Sequence, residues 1–283
     1  MAIDISRLTE GVDLPAEVSR EILGAAQSTS AVMSLAKQVN LPGRGITVPV
    51  LTGRPQAQWV NETDDKPVSG AALSNKSMTP HKLAVIVPFS NEFKRDAGAL
   101  YNAIVQQLPG ALAEKFDAAV LRDEDTPTGN FDTLADAEAI SLGDDVYAGL
   151  LAAHQKVGKA GGRLNGYALA AEGEGALYGA MDGMGRPLFD FGQRSILGAP
   201  VASTDGVYVA GGEGEATVGL AGDWTQAWWG TVEGVQIRMT DQATLTHGDT
   251  QINLFQRNMF AVLAEVEVGF ITANDNAFVR FTA

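Results

Sequence analysis

Cysteine is absent from all 283 residues, which excludes disulfide staples, thiolate metal sites and cysteine nucleophiles. Histidine is scarce. His81, His154 and His247 lie far apart, and none has a second histidine at ligand spacing, so a metal centre or histidine-based catalysis is not expected. No run approaches the roughly 20 apolar residues of a membrane-crossing helix. The opening stretch, MAIDISRLTEGVDLP, has no cationic segment followed by an apolar core, so neither signal peptide nor membrane anchor is expected. Internal repeats and low-complexity tracts are missing too.

Signatures of cofactor chemistry are also lacking. Gly158-Lys159 has Ala153 where a phosphate loop needs its leading glycine. Gly173-Glu-Gly175 has Tyr178 in place of the third glycine of a dinucleotide fingerprint, and Glu172 and Glu174 would repel a pyrophosphate. There is no Gly-x-Ser-x-Gly elbow, and Asp144-Asp145 lies where acids are dense enough to pair by chance. No cofactor and no enzymatic turnover are expected.

The chain that remains is 45% apolar with a net charge of −14, the composition of a folded protein. The acid excess is uneven. Residues 121–250 carry 7 Lys/Arg against 19 Asp/Glu, whereas residues 41–100 carry 7 against 5. One region can therefore be steered onto another in a neighbouring copy, and general phosphate binding is disfavoured.

Apolar spacing predicts a helix opening at Leu14-Pro15 with Val18, Ile22, Ala25 and Ala26 on one face. A second, capped by Ser30, carries Val32, Leu35, Ala36 and Val39 up to Pro42. Extended segments follow at Gly45–Gly53 and Gln56–Val60, then a polar tip from Asn61 to Ser77 and a return along Lys82–Pro88. Such a two-stranded arm is at best marginally stable alone and needs a surface to lie on. Ser90 and Glu92 open a long helix with Phe93, Ala97, Leu100, Tyr101, Ile104, Val105 and Leu108 on one face. Pro109-Gly110 should kink or interrupt it before Leu112, Phe116 and Val120 carry the stripe to Arg122.

Short elements come next: a helix around Val146, Leu150 and Leu151, a buried strand at Gly166–Ala170, and a helix from Gly175 to Met181. The last third alternates like strands, with Val232, Val235, Ile237 and Met239, then Phe260, Val262, Ala264, Val266, Val268 and Phe270 on one face of Met259–Ile271. Asn274-Asp275-Asn276 turns into a last strand, Phe278–Phe281. Trp224, Trp228 and Trp229 read as core beside such strands, and a ligand-stacking patch on an acidic β-rich binding module is the alternative.

The order of these parts resembles the Hong Kong 97 family of tailed-phage major capsid proteins. The likeness is carried by the arm at Leu14-Pro15, Ala57-Gln-Trp59-Val60-x-Glu62 with Lys66-Pro67, Lys82-Leu83 leading to Ser90-x-Glu92, Gly185-Arg-Pro187-Leu188, Leu197-Gly198-x-Pro200-Val201, Gly222-Asp223-Trp224 and the run from Asn253 to Phe281. The resemblance implies an α+β fold with an N-terminal arm (1–40), an extended β-hairpin loop (41–89), a spine helix and peripheral domain (90–140), an axial domain (141–250) and peripheral return strands (251–283).

It also implies a virion subunit, assembled in the host cytoplasm, that joins itself as hexamers and pentamers in an icosahedral shell around double-stranded DNA without reading its sequence. Portal and decoration proteins are implied partners. Only about a dozen residues precede the arm, so scaffolding is expected to come from a separate protein or not to be needed. Trp59, Glu62, Lys66 and Pro67 would form the inter-subunit contact loop. By likeness to the founding member, Lys66 of one subunit and Asn258 of another are candidates for an isopeptide cross-link with Glu265 as base. A cellular nanocompartment shell of the encapsulin type is the alternative within the fold.

Overall fold

In the computed structural model, residues 16–51, 57–62, 65–66, 68, 73–92, 97–143, 145–181, 184–211, 215–248 and 250–283 are described. The first helix, α1 (Ala16–Thr29), buries Ile22 and Ala26, one turn apart. Ser30 is buried and extended, and its hydroxyl accepts from Met33 N at 3.0 Å, capping α2 (Ala31–Leu35). The helix predicted as far as Val39 ends earlier. Ala36 is already extended, and Lys37–Asn40 forms β1, parallel to a later strand at 227–231. Backbone pairing with that strand prevails over the helical spacing of Ala36 and Val39.

The extended loop is rooted differently from its prediction. Strand β2 (Ile46–Leu51) pairs with β3 (Leu73–Met78), inside the stretch read as a polar tip. The strand read as the return, β4 (His81–Ser90), lies instead along the long strand at 259–272. Met78 is the reason for the difference. It is fully buried with Leu41 and Ile271, against which Ile46 and Val48 also pack, so the polar alternation of Leu73–Met78 conceals a buried anchor.

Helix α3 (Ala97–Arg122) runs through Pro109 without interruption. Leu108, Leu112, Phe116 and Val120 are all buried, and four such side chains outweigh the roughly 3 kcal/mol that an interior proline costs. The helix spans about 39 Å at 1.5 Å per residue.

Beyond it lie β5 (Glu138–Ser141), α4 (Val146–Lys159), β6 (Gly166–Leu169), α5 (Ala171–Tyr178), β7 (Phe189–Asp190), β8 (Ser195–Ile196), β9 (Ala199–Ser203), β10 (Thr217–Gly222), β11 (Ala227–Thr231), β12 (Gln236–Thr240), β13 (Thr244–His247), β14 (Thr250–Asn253), β15 (Met259–Thr272) and β16 (Phe278–Thr282). One five-stranded sheet has the order β1-β11-β15-β12, with β4 also on β15. A second, seven-stranded sheet runs β5-β16-β10-β6-β9-β8-β7. Strand β15 buries Phe260, Val262, Ala264, Val266, Val268 and Phe270, as its alternation predicts.

These sheets divide the chain differently from the ranges 141–250 and 251–283. Strands β11 and β12 belong with β15, while the terminal β16 lies between β5 and β10. The chain passes from the seven-stranded sheet to the five-stranded one at 222–226 and returns at 273–277. The two crossings are bonded to each other, Asp223 N to Ala277 O at 3.0 Å and Ala273 N to Gln226 O at 2.7 Å. The Asp223 carboxylate accepts from Arg163 N, Thr225 Oγ1 and Gln226 Nε2 at 3.0, 2.5 and 2.8 Å. Burial raises this carboxyl, but those donors outweigh it and hold it below its ordinary value.

Trp224 and Trp229 are each only 1% exposed, and their indole N–H groups donate to Gly166 O and Met33 O, both at 3.1 Å. Trp228 packs beside Leu41 and Met78. Trp224 and Trp229 are core and Trp228 is half-buried against it, so these three do not form the surface patch that a binding module would need.

Candidate functional site

The surface features cluster on the loop, on the rim of the five-stranded sheet and on the outer faces of the seven-stranded one. The described residues of the loop lie in solvent: Trp59 and Val68 are essentially fully exposed, and Glu62 and Lys66 are exposed too. Pro67 lies outside the described residues. At the loop's root, Lys76 Nζ donates to Asp132 at 2.8 Å and to Asp275 at 3.3 Å. Burial pulls the Lys76 ammonium down, but Asp132 and Asp275 prevail and hold it above its ordinary value. Asp132 also accepts from Thr272 N at 2.9 Å. One ion cluster thus ties the hairpin to the end of β15.

Asn258 stands just before β15, exposed and in the left-handed region at φ 53°. Its Oδ1 accepts from Asn91 Nδ2 at 2.9 Å, and its backbone carbonyl accepts from Asn91 N at 3.0 Å. Glu265 is seven residues further along the chain, about 23 Å away at about 3.3 Å per residue. Within one subunit the structure therefore keeps these two candidates apart.

Sequence reasoning missed the partner of Glu265. Lys82 lies opposite Glu267 in the β4–β15 ladder and reaches diagonally to Glu265 at 2.6 Å. Hydrogen bonding to Lys82 holds the Glu265 carboxyl below its ordinary range. The signal was present in the sequence, since Lys82 opens one alternating strand and Glu265 and Glu267 occupy the polar face of another. Only the antiparallel register joins them. A cleft of about 220 Å³ opens here, lined by Lys82, Val232, Glu233, Gly234, Gln236, Glu265 and Glu267.

Among the described residues no cluster of His, Cys, Asp or Glu could hold a metal ion, and no helix is long and apolar enough to cross a membrane. What the geometry offers is a body of two joined sheets, a rooted hairpin with apolar residues in solvent, and charged rims. These are the means of binding another protein surface.

Comparison with known proteins gives a consistent answer. The Phage capsid family profile matches residues 10–283. The chain is 30% identical to the probable major capsid protein gp17 of Mycobacterium phage D29, over 95% of this chain and 89% of that one. It is 31% identical to the gp17 of Mycobacterium phage L5, with the same coverage. Among solved structures, a chain from Mycobacterium phage Adephagia superposes with a TM-score of 0.72 at 25% identity, covering 99% of this chain and 98% of that one. A chain from Gordonia phage Cozz gives 0.69 at 27% identity, covering 90% and 86%. With the two-sheet body, the long helix and the rooted hairpin already in place, these matches mean that the chain belongs to the phage capsid family, as a structural subunit of the head shell.

Proposed function

We propose that copies of this chain assemble in the host cytoplasm as hexamers and pentamers and tile into an icosahedral head around double-stranded DNA. The observation that carries this is the exposure of Trp59 and Val68 in a loop whose root is anchored by Met78 and Lys76. Large apolar side chains left in water are placed to be covered by a neighbour. Trp59, Glu62, Lys66 and Pro67 form the contact loop in this reading. Many individually weak contacts become a stable shell through multivalency.

The acid excess fits a container that encloses DNA without gripping its phosphates. Portal, decoration and separate scaffolding proteins complete the set of partners. The relatives named above are phage proteins, which favours a phage head over an encapsulin-type compartment.

Covalent reinforcement is the finer part of the reading. Lys66 and Asn258 are both exposed and available to other subunits. Because Glu265 lies about 23 Å from Asn258 within one subunit, a cross-link between Lys66 and Asn258 takes its base from a different subunit than the one that supplies Asn258. Docking there would have to displace Lys82 from Glu265 before that carboxylate could accept a proton from Lys66.

Expression of the chain alone, followed by negative-stain electron microscopy, tests the assembly. Closed shells or free pentamers and hexamers support it. A uniform monomer that stays monomeric when expressed with the scaffolding and portal genes of its phage overturns it.

A further inference from the structure

Strand β12 forms an open rim of the five-stranded sheet. One edge of it pairs with β15, from Gln236 opposite Glu265 to Thr240 opposite Ala261, and among the described residues no strand pairs with the other edge. Strand β1 covers only the neighbouring β11 and ends at Asn40, opposite Thr231. The outward backbone donors and acceptors of β12 are therefore left for an added strand. Strands β2 and β4, also outermost, carry Pro49 and Pro88, which cannot donate to such a strand. Strand β12 has neither a proline nor a register shift against β15.

Its side chains define what fits. Ile237 is 3% exposed and Met239 is half-buried, and both pack into the core beneath the sheet. Gln236, Arg238 and Thr240 face solvent. Among the described residues the Arg238 guanidinium donates to Gln236 Oε1 at 3.3 Å and has no carboxylate within ion-pair distance. Glu265 on β15 feels this charge but is bonded to Lys82. A matching strand thus sets an acid between two apolar residues. A second copy of β12 does not match, because along its full length it would place Arg238 against Arg238.

Such a strand stands ahead of α1. Ala2-Ile3-Asp4-Ile5-Ser6 alternates as the five residues of β12 do, with the acid at its centre. We propose that residues 2–6 add to the outer edge of β12 in the same copy, with Asp4 opposite Arg238 and Ile3 and Ile5 beside Ile237 and Met239. Eleven steps of chain from Ile5 to Ala16 reach up to about 36 Å. Helix α1 lies on α3, which packs on one face of this sheet, and each of those two layers is about 10 Å deep, so the connection is long enough. Val12-Asp13-Leu14 has the same pattern, but Leu14 is two residues from Ala16 and stays within about 7 Å of the start of α1. The added strand closes the rim, covers the free side of Met239 and gives Arg238 a carboxylate.

Because the chain has no cysteine, the pairing can be trapped. Asp4→Cys and Arg238→Cys are combined in the full chain, which is mildly oxidised and run unreduced in a denaturing gel. The expected product is a single-subunit band of raised mobility that reverts on reduction, with positions 4 and 238 joined in the peptide map. Asp4→Cys combined with Glu138→Cys, on the other sheet, is expected to stay open. A folded Asp4→Cys, Arg238→Cys chain that stays open overturns the proposal. So does one that links only into dimers and larger species, which would place the segment on another copy. Hydrogen exchange reads the same contact without cysteines: amides of residues 236–240 are expected to exchange about tenfold faster once residues 1–9 are removed, and equal rates overturn the proposal. Neither readout depends on shell formation, so the shell reading stands or falls separately.

Discussion

Ser30 Oγ donates to the Asp117 carboxylate at 2.5 Å across 87 residues of sequence. The same buried carboxylate accepts from Ala31 N at 2.8 Å, Val32 N at 3.2 Å and Thr204 Oγ1 at 2.8 Å. One acid in the C-terminal part of α3 thus receives the start of α2 on one side and the loop after β9 on the other. Burial pushes this carboxyl above its ordinary value, against the pull of Ser30 and Thr204. Asp117→Ala leaves four donors without their acceptor and is expected to cost about 2–4 kcal/mol. Calorimetry of particles should show a lower unfolding midpoint, with α1 cleaved earlier by protease. An unchanged midpoint would mean that water replaces the carboxylate at no cost.

The pH dependence points to His154, whose Nε2 lies 3.1 Å from the Tyr167 hydroxyl. Burial holds this imidazole below its ordinary value. Below pH about 6.5 the unfolded chain binds this proton more readily than the folded one, so stability falls as pH drops from about 7 toward 5. His154→Gln retains a partner for Tyr167 and should flatten that part of the profile. Urea titrations at pH 7.5 and 5.5 on both proteins measure the difference.

Glycines divide by surroundings. A Cβ on Gly222 would lie 2.3 Å from the Phe278 ring and 2.6 Å from Ala277 O, at the crossing between the sheets. Gly222→Ala is expected to destabilise by about 3 kcal/mol or more, enough to abolish soluble expression. Gly158, on the exposed side of α4 with nothing near its Cβ position, has the opposite sign. Gly158→Ala should stabilise by about 0.5–1 kcal/mol, read as a rise in the urea midpoint.

Lys76→Met removes the ion cluster at the loop root while keeping most of the side chain's length. The hairpin retains Met78 and so stays attached, but its inclination is no longer held by Asp132 and Asp275. Faster proteolysis within residues 52–72 and fewer complete shells by electron microscopy are expected, with little change in the unfolding midpoint. A loop cut at the same rate as in the parent chain would contradict this.

If mature heads are covalently reinforced, denaturing gels of boiled particles show a ladder of very large species that Lys66→Arg or Asn258→Ala abolishes. A single band at 29.7 kDa from mature heads would exclude cross-linking.

The chain order of parts, the burial of Phe260 to Phe270 on alternate positions and the Ser30 cap follow from periodicity and side-chain chemistry, which are local. Trp59 and Lys66 were singled out by the family resemblance, and both are exposed. Pairing was not legible. Leu73–Met78 and Lys82–Pro88 are both plausible partners for Ile46–Leu51, and only the burial of Met78 beside Leu41 and Ile271 selects the first. In the same way β16 joins β10 because two chain crossings meet at Asp223, and Glu265 meets Lys82 because β4 runs antiparallel to β15 in one register. Sequence by itself determined the helices at α1, α3 and α4 and the buried alternation of β15, because those depend on near neighbours, whereas the strands at Lys37–Asn40 and Leu73–Met78 are set by their distant partners. Which strands share a sheet, and which charges face each other, only the tertiary structure decided, because contacts between distant segments depend on the packing of the whole core.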